Sequence, residues 1–271
     1  MNLINLIRIA IVFLCFIFYG NCVIAQEFKW LYPPENDQFY QLPESVKSDD
    51  IERITKVFHP RMQIFTPSPE NDNGDFIIVC PGGGYHILAI DLEGTEIAEW
   101  LTSVGYTAIV LEYTVPENRD RALEEVMEMI TQVRRRDDYQ ENSKLGIIGF
   151  SAGGHLAARA ATYQLGNKNR GDNLVLDFAA LIYPAYLDKG ENETLSPEIV
   201  LNSETVPMFI FVAADDFHAA SSIVLSGALQ KNKTSVEFHL LPEGGHGFGL
   251  RSGNEAAETW PGLLNKWLKK R

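Results

Sequence analysis

The run Gly149-Phe150-Ser151-Ala152-Gly153 constrains this chain more than any other stretch. It follows the apolar Leu145-Gly146-Ile147-Ile148 and precedes Gly154-His155-Leu156-Ala157-Ala158-Arg159-Ala160-Ala161, whose composition suits a helix. Strand, sharp turn and helix in that order place a serine at the tip in a strained backbone conformation, which the small neighbours Gly149, Ala152 and Gly153 permit. The Ser151 hydroxyl is thereby expected at the end of a strand, beside a helix N-terminus that favours developing negative charge. A glycine-rich turn without chemistry is the competing reading, and the flanking strand and helix patterns weigh against it.

The rest of the chain alternates in kind. Gln26 to Glu52 looks irregular, with Trp30, Tyr32, Pro33, Pro34 and Pro43 suggesting an extended arm laid on the body. Ile51 to Val57 and Arg61 to Thr66 alternate apolar and polar residues, as a half-exposed antiparallel hairpin would. After the turn Asn71 to Gly74 the runs become continuously apolar: Phe76 to Cys80, Tyr106 to Leu111, Leu145 to Phe150, Leu176 to Tyr183 and Met208 to Ala213 read as strands buried on both faces. Ser235 to Leu241 adds a last strand. Helical spacing appears over Thr95 to Ser103, Arg119 to Arg136, Ser221 to Lys231 and Ala256 to Lys270. Such alternation predicts an α/β fold with a mainly parallel central sheet flanked by helices. The stretch from Ala185 to Val206 is too short for a large cap domain.

Residues 1–25 carry Arg8 as their one charge, an apolar core from Ile9 to Tyr19, and Val23-Ile24-Ala25 before Gln26. This is expected to be a secretory signal peptide cleaved after Ala25, leaving residues 26–271 as one catalytic domain, secreted or periplasmic. Cys22 raises lipoprotein anchoring as a lesser alternative, against which Asn21 is a poor preceding residue. Of the three cysteines, Cys15 and Cys22 lie in that leader, so the mature chain keeps Cys80 and forms no internal disulfide. A formal net charge of −13 argues against nucleic acid and anionic membrane surfaces as partners.

A serine hydroxyl needs a histidine base, and usually a carboxylate to orient that base. His246 stands in Pro242-Glu243-Gly244-Gly245-His246-Gly247-Phe248-Gly249, a glycine-rich loop after the last predicted strand, where open sheets present functional groups. His239 alternates within a strand and reads as structural; His155 lies inside the helix after Ser151. The strand Phe209 to Ala213 delivers two carboxylates at its end, Asp215 and Asp216. Asp215, nearer the strand end, is the expected partner of His246, with Asp216 a solvated or capping neighbour; a one-residue shift in the turn would exchange them. Pro81-Gly82-Gly83-Gly84-Tyr85 follows the strand Phe76 to Cys80 and lacks side chains that would block close approach. Gly83 and Gly84 are the expected oxyanion donors, with the Ala152 amide as their partner. No Lys-Ser/Thr follows these glycines, which excludes a nucleotide P-loop.

Taken together, Pro81 to Tyr85, Asp91-Leu92-Glu93-Gly94 with Ala98-Glu99-Trp100-Leu101, Gly149 to Ala158, Ala214-Asp215-Asp216 and Gly244 to Leu250 resemble the α/β-hydrolase family. More narrowly, they resemble the secreted acetyl-xylan esterases and feruloyl-esterase-like carbohydrate esterases of bacteria. The resemblance runs from about Trp30 to the C-terminus. It implies a nucleophile at Ser151, an acid at Asp215, a base at His246 and an oxyanion loop at Gly83 and Gly84, with no metal and no cofactor. The implied activity is removal of small acyl groups, acetyl above all, from a xylan-like polysaccharide or oligosaccharide. Feruloyl esterase, serine peptidase and lipase are alternatives on the same fold, and the charged segment Asp188 to Glu204 argues against a lipase lid. Tyr85 is the candidate substrate-binding residue, and Tyr113, Tyr183 and Tyr186 stand near other strand ends. Thr114 departs from the pattern, which has arginine after the tyrosine. The oligomeric state, the acyl group and the sugar stay open at this level.

Overall fold

The computed structural model describes residues 25–32, 40–163 and 176–271. The expected leader and its two cysteines lie outside them, apart from Ala25. Eleven strands and five α-helices occur among the described residues: β1 (Ala25–Trp30), β2 (Glu44–Ser48), β3 (Ile51–Lys56), β4 (Arg61–Thr66), β5 (Phe76–Cys80), β6 (Leu88–Ala89), α1 (Glu96–Ser103), β7 (Thr107–Glu112), α2 (Arg119–Arg134), β8 (Leu145–Phe150), α3 (Ala152–Tyr163), β9 (Phe178–Ile182), β10 (Met208–Ala213), α4 (Ala219–Lys231), β11 (Val236–Leu241) and α5 (Glu255–Leu268). No helix among the described residues is long and apolar enough to cross a membrane.

One eight-stranded sheet runs β1-β4-β7-β5-β8-β9-β10-β11, antiparallel at β1/β4 and β4/β7 and parallel from β7 onward. Every residue of β5, β7, β8, β9 and β10 is buried, which is the reason their sequences read as unbroken apolar runs. The chain moves from β5 to its neighbour β7 through α1, then returns past β5 to β8 through α2. Because parallel crossovers are right-handed, opposite directions of travel put α1 and α2 on opposite faces. On the α1 face, Trp100 meets Trp260 of α5 edge-on, ring centroids 5.2 Å apart.

This reversal is what positions the site. β5 and β8 are the neighbours at the switch point, with Cys80 opposite Gly149, so their carboxyl ends open onto one crevice. Between β9 and β10 the only regular element is a single turn at Glu191–Glu193, so no cap domain grows there.

Two expectations are corrected. The arm from Gln26 to Glu52 contains strands: β1 is the edge of the main sheet, and β2 joins β3 and β6 in a separate three-stranded sheet. β2 is exposed throughout and β1 is exposed over Gln26 to Lys29, so neither carries an apolar pattern, and β1 is a strand because it pairs with β4 from far along the chain. Nor do β3 and β4 form a hairpin. Val57 to Pro60 carries the chain from the small sheet to the large one, where β4 lies between β1 and β7. Gln63 made β4 look half-exposed, whereas it is buried and hydrogen-bonded to Glu112 on β7.

Candidate active site

Ser151 follows β8 with φ of +50°, the left-handed conformation a side chain adopts only under local constraint. Its N–H donates to Ile182 O at 3.2 Å, and its carbonyl accepts from His155 N at 3.1 Å and Ala185 N at 3.0 Å. The glycines around it are steric necessities. A Cβ on Gly149 would stand 2.1 Å from Gly153 O, and one on Gly153 would stand 2.0 Å from Cys80 O. Glycine at 153 therefore lets the first turn of α3 press against the end of β5.

Three loops bring the polar groups together. The Ser151 hydroxyl donates to His246 Nε2 at 2.8 Å, and His246 Nδ1–H donates to Asp216 Oδ2 at 2.7 Å. The expected pairing with Asp215 is thus corrected: the carboxylate that meets His246 is Asp216. Ala213 ends β10, and the turn after it is closed by Asp216 N donating to Ala213 O at 3.2 Å, which swings the second aspartate inward. Asp216 has no exposed side-chain surface, and its other oxygen accepts from His218 N at 2.7 Å. Asp215 points outward and accepts from Gly245 N at 2.8 Å, steadying the loop one residue before His246.

Gly83 and Gly84 line the same cavity as Ser151 and His246, with φ of +132° and +68°. A Cβ on Gly83 would stand 2.2 Å from Ile87 O, so the tight turn requires glycine there. Among the described backbone hydrogen bonds of this loop, the carbonyls of Gly82 and Gly83 accept, while the amides of Gly83 and Gly84 do not donate. The Gly82 amide is taken by the buried carboxylate of Glu93, at 2.8 Å. Ala152, the first residue of α3, places a further amide beside Ser151.

Glu93 is a buried carboxylate beside the site to which the sequence assigns no role. Its other oxygen accepts from Tyr183 OH at 2.8 Å, and that hydroxyl accepts from Gly249 N at 3.0 Å. Gly249 O accepts from Trp260 Nε1 of α5 at 2.8 Å. One buried chain of hydrogen bonds therefore joins the glycine loop to the histidine loop and to α5. Burial raises the Glu93 pKa, opposed by the Tyr183 and Gly82 hydrogen bonds and by nearby His246. Asp91-Leu92-Glu93-Gly94 was legible as a motif, but not the direction in which its carboxylate points.

Tyr85 is corrected as well: it is 1% exposed and does not line the site. Its hydroxyl donates to His155 Nδ1 at 2.8 Å, and His155 Nε2–H donates to Glu198 Oε1 at 3.0 Å. Desolvation lowers the pKa of His155 to about 4, keeping the ring neutral and fit for both bonds. Tyr113 and Tyr183 are also buried; Tyr113 OH donates to Pro81 O at 2.7 Å and steadies the start of the glycine loop. Thr114, the departure from the family pattern, donates from its N–H and hydroxyl to the buried Glu125 and takes no part in the site.

Gly83, Gly84, Ser151 and His246 line one cavity of about 360 Å³ together with Tyr186, Phe217, His218 and, from β3, Ile51 and Arg53. A larger cavity, about 510 Å³, is lined by Lys29, Gln132 and Arg136 among others and shares no residue with this one. Among the described residues, no group of three or more His, Cys, Asp or Glu could hold a metal ion.

The dienelactone hydrolase family model matches residues 69–269. An acetylxylan esterase of Xylanibacter ruminicola is 25% identical over 231 residues, covering 74% of this chain and 46% of that protein. An endo-1,4-beta-xylanase B of Butyrivibrio fibrisolvens is 26% identical over 221 residues, covering 69% and 34%. The chain thus spans less than half the length of either curated relative. Among solved structures, an acetyl ester-xyloside bifunctional hydrolase from Caldicellulosiruptor lactoaceticus superposes with a TM-score of 0.70 at 27% identity, covering 90% of this chain and 96% of that one. An α/β-hydrolase enzyme from a Medee basin deep-sea metagenome library gives 0.65 at 28%, covering 81% and 96%.

Proposed function

The chain belongs to the dienelactone hydrolase family, with an α/β-hydrolase fold, and from that premise we propose that it is a serine carboxylester hydrolase that removes acetyl groups from a xylan-like polysaccharide. The observation that carries the reading is the hydrogen-bonded series Asp216–His246–Ser151, at 2.7 and 2.8 Å, facing a loop of glycines. Ser151 Oγ attacks the ester carbonyl while His246 Nε2 takes its proton, and buried Asp216 stabilises the imidazolium that forms. The carbonyl oxygen becomes an oxyanion between the amides of Gly83 or Gly84 and Ala152, groups that need not reorganise as charge develops. His246 then gives the proton to the departing sugar oxygen, leaving an acetyl-serine. Water, deprotonated by His246, attacks that ester; acetate leaves and Ser151 regains its proton.

Acetyl as the acyl group and xylan as its carrier are supported by the acetylxylan esterase and acetyl ester-xyloside hydrolase among the similar proteins and by the open, uncapped cavity. Acetate release from acetylated xylan by the purified chain tests the proposal, with Ser151→Ala as the control. The variant is expected to lose turnover by roughly a millionfold, as in serine hydrolases stripped of their nucleophile, with thermal stability almost unchanged. Full activity in Ser151→Ala, or ferulate released in preference to acetate, would overturn the assignment of nucleophile or of acyl group respectively.

A further inference from the structure

Phe217 is the side chain in this cavity that packing does not explain. It is 77% exposed, directly follows the inward-turned Asp216, and its ring centroid lies 4.7 Å from that of His246. A large apolar ring left in water beside a reactive histidine is informative in a way that an exposed leucine elsewhere is not. Its neighbours extend the surface: the His218 ring lies 4.4 Å from Phe217, and Tyr186 lies 5.3 Å from His218.

The proton inventory of the reaction says what comes to rest there. His246 Nε2 must reach the oxygen of the leaving alcohol at about 2.6–3.2 Å to protonate it. The acyl half of the ester must at the same time turn its carbonyl oxygen toward the Gly83–Gly84 loop and Ala152. The alcohol half therefore begins at the imidazole and extends away from the glycines. Phe217 is the exposed ring at that point. A pyranose presents a face of axial C–H bonds, polarised by the ring oxygens, and such a face suits the negative π-cloud of an aromatic ring.

We infer that Phe217 is the stacking platform for the sugar ring that carries the ester, a specificity-determining residue on the leaving-group side of the site. The inference rests on the esterase reading above and goes further, because it assigns recognition of the alcohol to one residue.

The test compares the full chain with Phe217→Ala and Phe217→Trp on two acetates, an acetylated xylo-oligosaccharide and vinyl acetate, whose alcohol is too small to stack. Phe217→Ala is expected to lose about tenfold in kcat/KM on the oligosaccharide, mainly through KM, and to stay within about twofold on vinyl acetate; Phe217→Trp restores the oligosaccharide value. Because the ring is exposed, the melting temperature should not move. Equal losses on both esters, or no loss on the oligosaccharide, would overturn the platform while leaving the esterase reading intact. A wild-type chain inert toward both esters would overturn the esterase reading and the platform together, so the two failures are distinguishable.

Discussion

Asp215 and Asp216 share a turn, a charge and a neighbour, yet they face different donors. Asp216 accepts from His246 Nδ1 and from His218 N without any side-chain exposure, whereas Asp215 accepts a single amide, that of Gly245, at the surface. The consequence is unequal sensitivity to loss of charge. Asp216→Asn is expected to cost roughly ten-thousandfold in kcat, the scale seen when the acid of such a triad becomes an amide and the histidine takes the wrong tautomer. Asp215→Asn keeps an oxygen for Gly245 and should cost less than about tenfold. Steady-state kinetics on a small acetate ester would decide between them, and the reverse order would return the role to Asp215. The pair also marks a limit of sequence reasoning. Both residues are legible as candidates at the end of β10, but which one turns inward depends on the hydrogen bond from Asp216 N to Ala213 O.

At the scale of the element, α3 carries two duties: its N-terminus faces Ser151, and one turn later His155 ties it to the glycine loop through Tyr85 and to the β9–β10 connection through Glu198. Tyr85 has φ of +64°, a conformation unusual for a bulky residue, which its bond to His155 helps to hold. Folded His155 takes a proton only near pH 4, whereas the unfolded chain takes it near 6.5. Between those values the unfolded state binds more protons. The stabilisation is therefore fully present above pH 6.5 and is lost as pH falls toward 4, with an upper bound of roughly 3 kcal/mol. Thermal melts from pH 7 to 4 should show a steeper decline for the wild type than for His155→Gln. Parallel curves would show that His155 contributes nothing to acid lability. None of this was visible in the string Gly154-His155-Leu156, where the histidine reads as one residue on a helix face.

For the whole molecule, the decisive fact is where the chain reverses direction in the sheet. The switch between β5 and β8 sets the glycine loop against the serine turn, while the loops after β10 and β11 bring in Asp216 and His246. Nothing larger than the single turn at Glu191–Glu193 is inserted between β9 and β10 to wall off a long acyl group. Catalytic efficiency is accordingly expected to be highest for acetate and to fall by roughly tenfold or more toward octanoate, since added methylenes find little surface to bury against. A kcat/KM that rises with chain length would mean that a wall forms when the ester binds.

The sequence by itself determined the parallel layers, the serine turn, the histidine loop and the glycine loop, because each follows from local chemistry. Apolar runs force burial on both faces, and glycines are demanded where a Cβ would strike backbone, as at Gly149 and Gly153. Tertiary structure alone decided the rest. β1 became a strand through hydrogen bonds exchanged with β4, 30 or more residues away, and β3 and β4 parted into different sheets although they are neighbours in the chain. Tyr85 turned inward to His155, and Glu93 reached both Gly82 and Tyr183. The direction of a side chain after a turn is fixed by partners distant in sequence, and local periodicity carries no record of them.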